Sequence, residues 1–247
     1  MIFELKDMKK AERIFEGWEE TLIYSCVQQV MGKVFVTNPE SPESACAYVG
    51  CFAFYAGVPD YELVRNKPDG FVIMTPQNEE WSQVIEDCYP DAKRVTRYAI
   101  KKDTCFNEER LRHMAATLPD GYSLRKIDAE LYDKCLTNPA TADFVSAFGS
   151  KKEYLDKGIG MVIMKDNQIV SGASSYTRYD QGIEIEVDTV ASERRKHLAT
   201  AACAALILEC LKNNLYPSWD AQNMNSVHLA EKLGYEYSHD YTAYEVR

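Results

Sequence analysis

The sequence is poor in the residues that build metal centres and in the runs that cross membranes. Its four histidines, at 113, 197, 228 and 239, offer no pair at metal-ligand spacing, and its eight cysteines contain no C-x-x-C. Cys46 and Cys51 lack a matching half, so no metal is expected. Several cysteines, Cys203 and Cys210 among them, sit in apolar runs and read as buried, reduced thiols. The N-terminal segment Met-Ile-Phe-Glu-Leu-Lys-Asp is charged where a signal peptide needs an apolar core, and no apolar run reaches membrane-spanning length. A cytoplasmic protein with no membrane partner is expected. A basic stripe is missing too: 19 acids stand against 14 bases up to residue 118, and the same again beyond it, for a net charge of -10. That balance argues against a nucleic-acid partner.

One local exception stands out. Arg194, Arg195, Lys196 and His197 lie between a strand pattern and a helix pattern. Ile183, Ile185, Val187 and Thr189 alternate with Glu184, Glu186 and Asp188. Leu198, Ala201, Ala202, Ala205, Leu206, Leu208 and Leu211 then continue as an apolar helix to about Asn214. A helix start leaves backbone N–H groups unpaired, and surrounding it with cations makes a phosphate site.

The remaining patterns frame this stretch. Residues 4–30 read as helical, 33–36 as a strand, 45–55 as a strand ending at Gly57-Val-Pro59, 71–74 as a strand and 78–89 as a capped helix. A strand over 93–101 and a polar stretch over 102–120 follow. The second half predicts a strand at 124–127, helices at 129–136 and 150–156, and a hairpin of 160–164 with 168–175 around Lys165-Asp-Asn167. After the central strand and helix come a strand at 216–221, a helix at 223–233 stopped by Gly234, and strands to 246. This order predicts an α+β or mixed-sheet fold, with an α/β domain over 1–115 and a second domain over 120–247. Gln77-Asn78 with Trp81 and Gln222-Asn223 with Ser226 echo each other, each between a strand and an apolar helix, so the first domain is readable as a degenerate copy of the second.

The turn Arg194-x-x-His-x-Ala199, the acidic strand before it, Asn223-x-x-Ser226 and Glu231-Lys-Leu-Gly-Tyr235 together resemble the GNAT superfamily of acyl-CoA-dependent N-acetyltransferases. Within it the chain is similar to the two-domain GNAT acetyltransferases of Gram-positive bacteria. The resemblance implies a mostly antiparallel mixed sheet flanked by helices over the C-terminal domain, and acetyl-CoA as co-substrate. It implies that Arg194, Arg195, Lys196, His197, Leu198, Ala199 and Thr200 bind the coenzyme A pyrophosphate. Val187, Asp188, Thr189 and Val190 would pair with the pantetheine arm, and Asn223 and Ser226 would hold the cofactor's far end. The acceptor would be a small-molecule or peptide amine; if the first domain is a degenerate copy, it would shape the acceptor site or a face of a homodimer and would not bind coenzyme A.

Two positions depart from the family pattern. His197 replaces a glycine, where a Cβ could crowd the pyrophosphate or demand a helical backbone, and Ala230 replaces a tyrosine that often serves as general acid. A base must take a proton from the ammonium, with Glu186 ahead of Glu184. The acid would come from Ser226, His228, Tyr235, Tyr237, Tyr241 or water. Direct transfer in a ternary complex is the expected reaction. A silent acyl-CoA-binding or regulatory module, and a binder of another phosphate-bearing ligand, are the alternatives.

Overall fold

The computed structural model describes residues 1–247, which divide into two compact units, Met1–Arg97 with Asp240–Arg247, and Tyr98–His239. The first unit opens with β1 (Phe3–Glu4), α1 (Lys9–Glu12) and α2 (Thr21–Val27), then β2 (Lys33–Val36), β3 (Ser44–Val49), β4 (Phe52–Gly57), α3 (Tyr61–Arg65), β5 (Val72–Pro76) and α4 (Glu79–Cys88). The expected long helix over 4–30 is broken because Gly17 takes a left-handed φ of 78°. The expected single strand over 45–55 is a hairpin, since Gly50 at φ 59° turns the chain between β3 and β4.

β6 (Lys93–Ile100) carries the chain into the second unit, which contains α5 (Glu108–Ala116), β7 (Tyr122–Lys126), α6 (Ala129–Leu136), α7 (Pro139–Ala142) and α8 (Lys151–Lys157). There follow β8 (Gly160–Lys165), β9 (Gln168–Tyr179), β10 (Gly182–Thr189), α9 (Leu198–Lys212), β11 (Tyr216–Ser218), β12 (Asp220–Ala221) and α10 (Met224–Leu233), and the chain closes with β13 (Tyr237–Val246).

The units divide elsewhere than at 115–120. The polar stretch belongs to the second unit because α5 is amphipathic and seats Leu111 in that unit's core, with Met114 and Ala115 packed against it. The last eight residues belong to the first unit because Tyr244, Glu245 and Val246 pair with Met74, Ile73 and Val72 of β5.

Each unit builds a mixed sheet. In the first, β1 to β4 are antiparallel neighbours, β5 lies parallel to β4, and the end of β13 pairs with β5. In the second the order is β11-β10-β9-β8-β7, antiparallel except for the parallel pair β10 and β11. The hairpin between β8 and β9 turns on Asp166 and Asn167, both left-handed (φ 47° and 61°), which short polar side chains tolerate best. The expected strand over 216–221 is split at the buried Trp219: Tyr216–Ser218 pair with β10, while Asp220 and Ala221 pair with Ala99 and Tyr98 of β6.

Helix α9 is buried on nearly every side, which its small residues permit. Ala201, Ala202, Cys203 and Ala204 let the helix approach the sheet, and Leu206 and Ile207 fill the space beyond. Burying each of those two side chains stabilises the unit by about 1.5–3 kcal/mol. The start of this helix is thereby a fixed point. All eight cysteines are free, and burial pushes the Cys203 thiol up and the Cys210 thiol to about 12.

Candidate functional site

The site begins where β10 and β11 part. They pair only from Gly182 with Tyr216 to Glu184 with Ser218, so no strand covers the outer edge of residues 185–189. The inner edge is held by β9. There Ser171 Oγ lies 2.7 Å from Thr189 Oγ1 and donates to the Asp188 carbonyl, and Val190 N–H donates to Val170 O. A strand edge rigid on one side and open on the other can take an extended ligand by backbone hydrogen bonding.

The open edge leads to the start of α9. A short 3₁₀ turn, Ala191–Glu193, precedes Arg194 to His197, and no side chain caps the helix. The N–H groups of Leu198, Ala199 and Thr200 are thus first-turn donors with no preceding helical carbonyl. Arg195 and His197 are both left-handed, at φ 64° and 62°. The backbone here is therefore the one a glycine would adopt, and the helical alternative for His197 does not occur. Its imidazole is exposed and turns aside, with Nδ1 3.3 Å from Lys232 Nζ.

A cleft of about 540 Å³ lies along these elements. Its walls include Val187, Asp188 and Thr189 from the strand, Arg194, Arg195 and His197 from the loop, Leu198, Ala199 and Thr200 from the helix start, and Asn223 and Ser226 from α10. Asn223 caps α10 through the Ser226 N–H at 3.1 Å. Ser226 Oγ accepts from Trp219 Nε1 at 3.1 Å, which leaves its own proton for a ligand. Arg194 is tied back to the strand, its Nε donating to Thr189 O at 3.0 Å.

Several expected residues stand elsewhere. Val190 packs against the core, and Lys196 turns to Glu193 and Tyr122, so neither lines the cleft. Tyr235 is 3% exposed, packed edge-on against Phe106, and its hydroxyl donates to Pro217 O. Burial raises its pKa well above the ordinary value, so it is a core residue and not a cleft acid. Ala230 is fully buried and Tyr237 exposed, while Tyr241, whose hydroxyl accepts from Arg97, belongs to the first unit. The strand acids lie beyond the cleft's helix-start end. Glu186 is half-buried opposite Ser174, and Glu184 is 3% exposed at the fork, in register with Thr177 and Ser218.

Gln222, Asn225, Leu229 and Glu193 also line the cleft and were not expected. Leu229 follows Ser226 by three residues on α10, a spacing that could have revealed it. Glu193 carries no such signal, because an acid beside a basic run reads as surface.

The second unit thus joins a meander, a strand that parts from its parallel neighbour and an uncapped helix start behind a basic loop. The chain belongs to the GNAT acetyltransferase family, whose sequence profile matches residues 12–244. It is 30% identical over 239 aligned residues to YdfB of Bacillus subtilis, described as an uncharacterized N-acetyltransferase, covering 91% of this chain and 89% of that one. A GCN5-related N-acetyltransferase-like protein from Streptococcus suis is 43% identical, with a TM-score of 0.93 over 98% of this chain and 99% of its own. A tandem GNAT protein from the clavulanic acid pathway shares the fold at 10% identity, with a TM-score of 0.51 over 87% and 82% of the two chains.

Proposed function

We infer that the protein transfers an acetyl group from acetyl-CoA to an amine, directly and within a ternary complex. The observation that carries this reading is the continuity of the open edge at 185–189 with the basic, uncapped start of α9. The edge suits an amide-bearing arm and the helix start suits a pyrophosphate. Residues 187–189 would take the arm, Arg195 and the N–H groups of 198–200 the phosphates, and Asn223 and Ser226 the remainder. In such a complex the thioester supplies the acyl group. The chain's own task is to remove a proton from the acceptor ammonium and to stabilise the departing thiolate. Glu186 leads as base because it is half-exposed and adjoins Val187 on the cleft wall; Glu184 is the second candidate. With Tyr235 buried, Ser226 is the acid candidate that remains on the cleft wall.

A silent acyl-CoA-binding module is the second reading, favoured by Ala230 standing buried where the family often has its acid. Titration calorimetry with acetyl-CoA, coenzyme A and nucleotides separates binding from its absence, and no heat with any CoA species ends the acyltransferase reading. Thiol release over a panel of amines then tests turnover. Glu186→Gln is expected to lower kcat by ~100-fold or more, in the range of a lost general base. Binding without release on any amine would leave the silent module.

A further inference from the structure

Four consecutive basic residues follow Glu193, and the fold uses each differently. Arg194 is spent on the Thr189 carbonyl and the Asp188 carboxylate, and His197 on Lys232. Lys196 Nζ turns inward to Glu193 Oε2 at 2.7 Å and to the Tyr122 hydroxyl at 3.1 Å. Arg195, exposed on the cleft wall, is the one left facing a ligand.

The sorting centres on Glu193. The residue is 9% exposed, and its carboxylate accepts from Lys196, from Lys165 Nζ at 3.0 Å and from the Tyr122 hydroxyl. Tyr122 and Lys165 are cross-strand partners on β7 and β8, and both ammonium groups lie over the Tyr122 ring, at 5.2 and 5.8 Å. These donors, Lys196 foremost, hold the Glu193 carboxyl down at about 2, so it stays an anion throughout the working range. The loop needs such an anchor, because left-handed Arg195 and His197 each cost about 1–2 kcal/mol relative to the right-handed form.

We propose that Glu193 is the positioning residue of the phosphate loop, clamping it to the β7–β8 edge through Lys165, Lys196 and Tyr122 so that Arg195 is the loop cation presented to the ligand. Lys196 acts through Glu193 and not on the phosphate. The proposal rests on the acyl-CoA reading for the identity of the ligand, while the clamp itself is a property of the free protein.

Two measurements test it. Coenzyme A is titrated calorimetrically into the wild type and into Glu193→Gln, Lys196→Met, their double variant and Arg195→Gln, at low and high salt. Glu193→Gln is expected to weaken binding roughly 10-fold and to raise KM for acetyl-CoA by the same factor, with the loss on KM and not on kcat. The double variant should bind no more weakly than Glu193→Gln alone, the mark of two residues acting as one. Arg195→Gln should flatten the salt dependence, and Lys196→Met should not. Coenzyme binding to Glu193→Gln as tight as wild type, or losses that add in the double variant, would overturn the proposal. The second measurement needs no ligand: trypsin should cut the loop after Arg194, Arg195 or Lys196 at least about 5-fold faster in Glu193→Gln, as expected for a segment released to open locally. Equal cleavage also overturns the clamp. A wild type that binds no CoA species while the cleavage difference stands would sink the acyl-CoA reading and leave the clamp intact.

Discussion

The two units share a scaffold and differ at its fork. In each, three antiparallel strands lead to a connection, a strand parallel to the third, and a helix capped by asparagine: β2-β3-β4, β5 and α4 behind Asn78, against β8-β9-β10, β11 and α10 behind Asn223. In the first unit β4 and β5 stay paired from Phe52 with Ile73 to Tyr55 with Pro76. Beyond them the Gln77 side chain takes the Gly57 N–H and the Trp81 indole donates to the Gly57 carbonyl. Trp81 is fully buried, 5.5 Å from the Tyr55 ring, and it is the third residue after its cap, the place Ser226 holds in the second unit. The connections differ as well: the five-residue α3 behind Asp60 in one, the basic loop and fifteen-residue α9 in the other. Topology alone therefore does not make the cleft. A small residue after the cap, an uncovered strand edge and a basic helix start do.

The comparison can be broken most forcefully by exchanging the residue after the cap. Ser226→Trp places an indole in the cleft wall and removes the oxygen that receives the Trp219 N–H. Coenzyme A affinity is expected to fall more than ~100-fold, about 2.7 kcal/mol, with the fold retained in a thermal melt. Binding at wild-type strength would refute the idea that Trp81 is what closes the first unit. The reciprocal change, Trp81→Ser, empties a fully buried site and strips the Gly57 carbonyl of its donor. It should destabilise the protein by about 3–5 kcal/mol in urea unfolding. It should confer no second coenzyme site, because no basic loop accompanies that fork. A loss below about 1 kcal/mol would mean the indole is not a packing element there.

Much of this contrast is legible in the sequence, for physical reasons that differ by element. Hairpin β8–β9 announces itself through Asp166 and Asn167, and both Asn-capped helices through a cap and an apolar face. The cleft residues 187–189, 194, 195 and 197–200 were legible because a helix start and its flanking charges are local features. What failed was non-local. Nothing near Tyr244 indicates that it pairs with Met74 of β5, and nothing near Tyr235 indicates that Phe106 and Pro217 bury it. The Gly50 turn was hidden between two apolar runs that read as one strand. Glu193 goes unseen and Lys196 reads as a ligand contact because their roles depend on Tyr122 and Lys165, some 70 and 30 residues from Glu193 in sequence.

The smallest expected effect concerns backbone strain, which the first unit avoids by placing glycine, Gly57 at φ 83°, at its left-handed position beside the fork. The second unit uses His197 at φ 62° in the basic loop before α9, and the imidazole gains only an exposed contact with Lys232. Replacing a left-handed side chain with glycine recovers about 1–2 kcal/mol, against which stand the flexibility glycine adds to the unfolded chain and the lost Lys232 contact. His197→Gly should therefore raise stability by about 0.5–1 kcal/mol, a gain of the size seen when a residue is matched to its backbone. Coenzyme affinity should stay within about threefold, since the donors at 198–200 and Arg195 are untouched. His197→Ala supplies the control: it deletes the same contact but keeps the Cβ, so it should show no gain. Melting of the glycine and alanine variants at the same temperature would mean that the loop stores no strain at this position, and the left-handed turn would then be as comfortable with a side chain as the first unit's is without one.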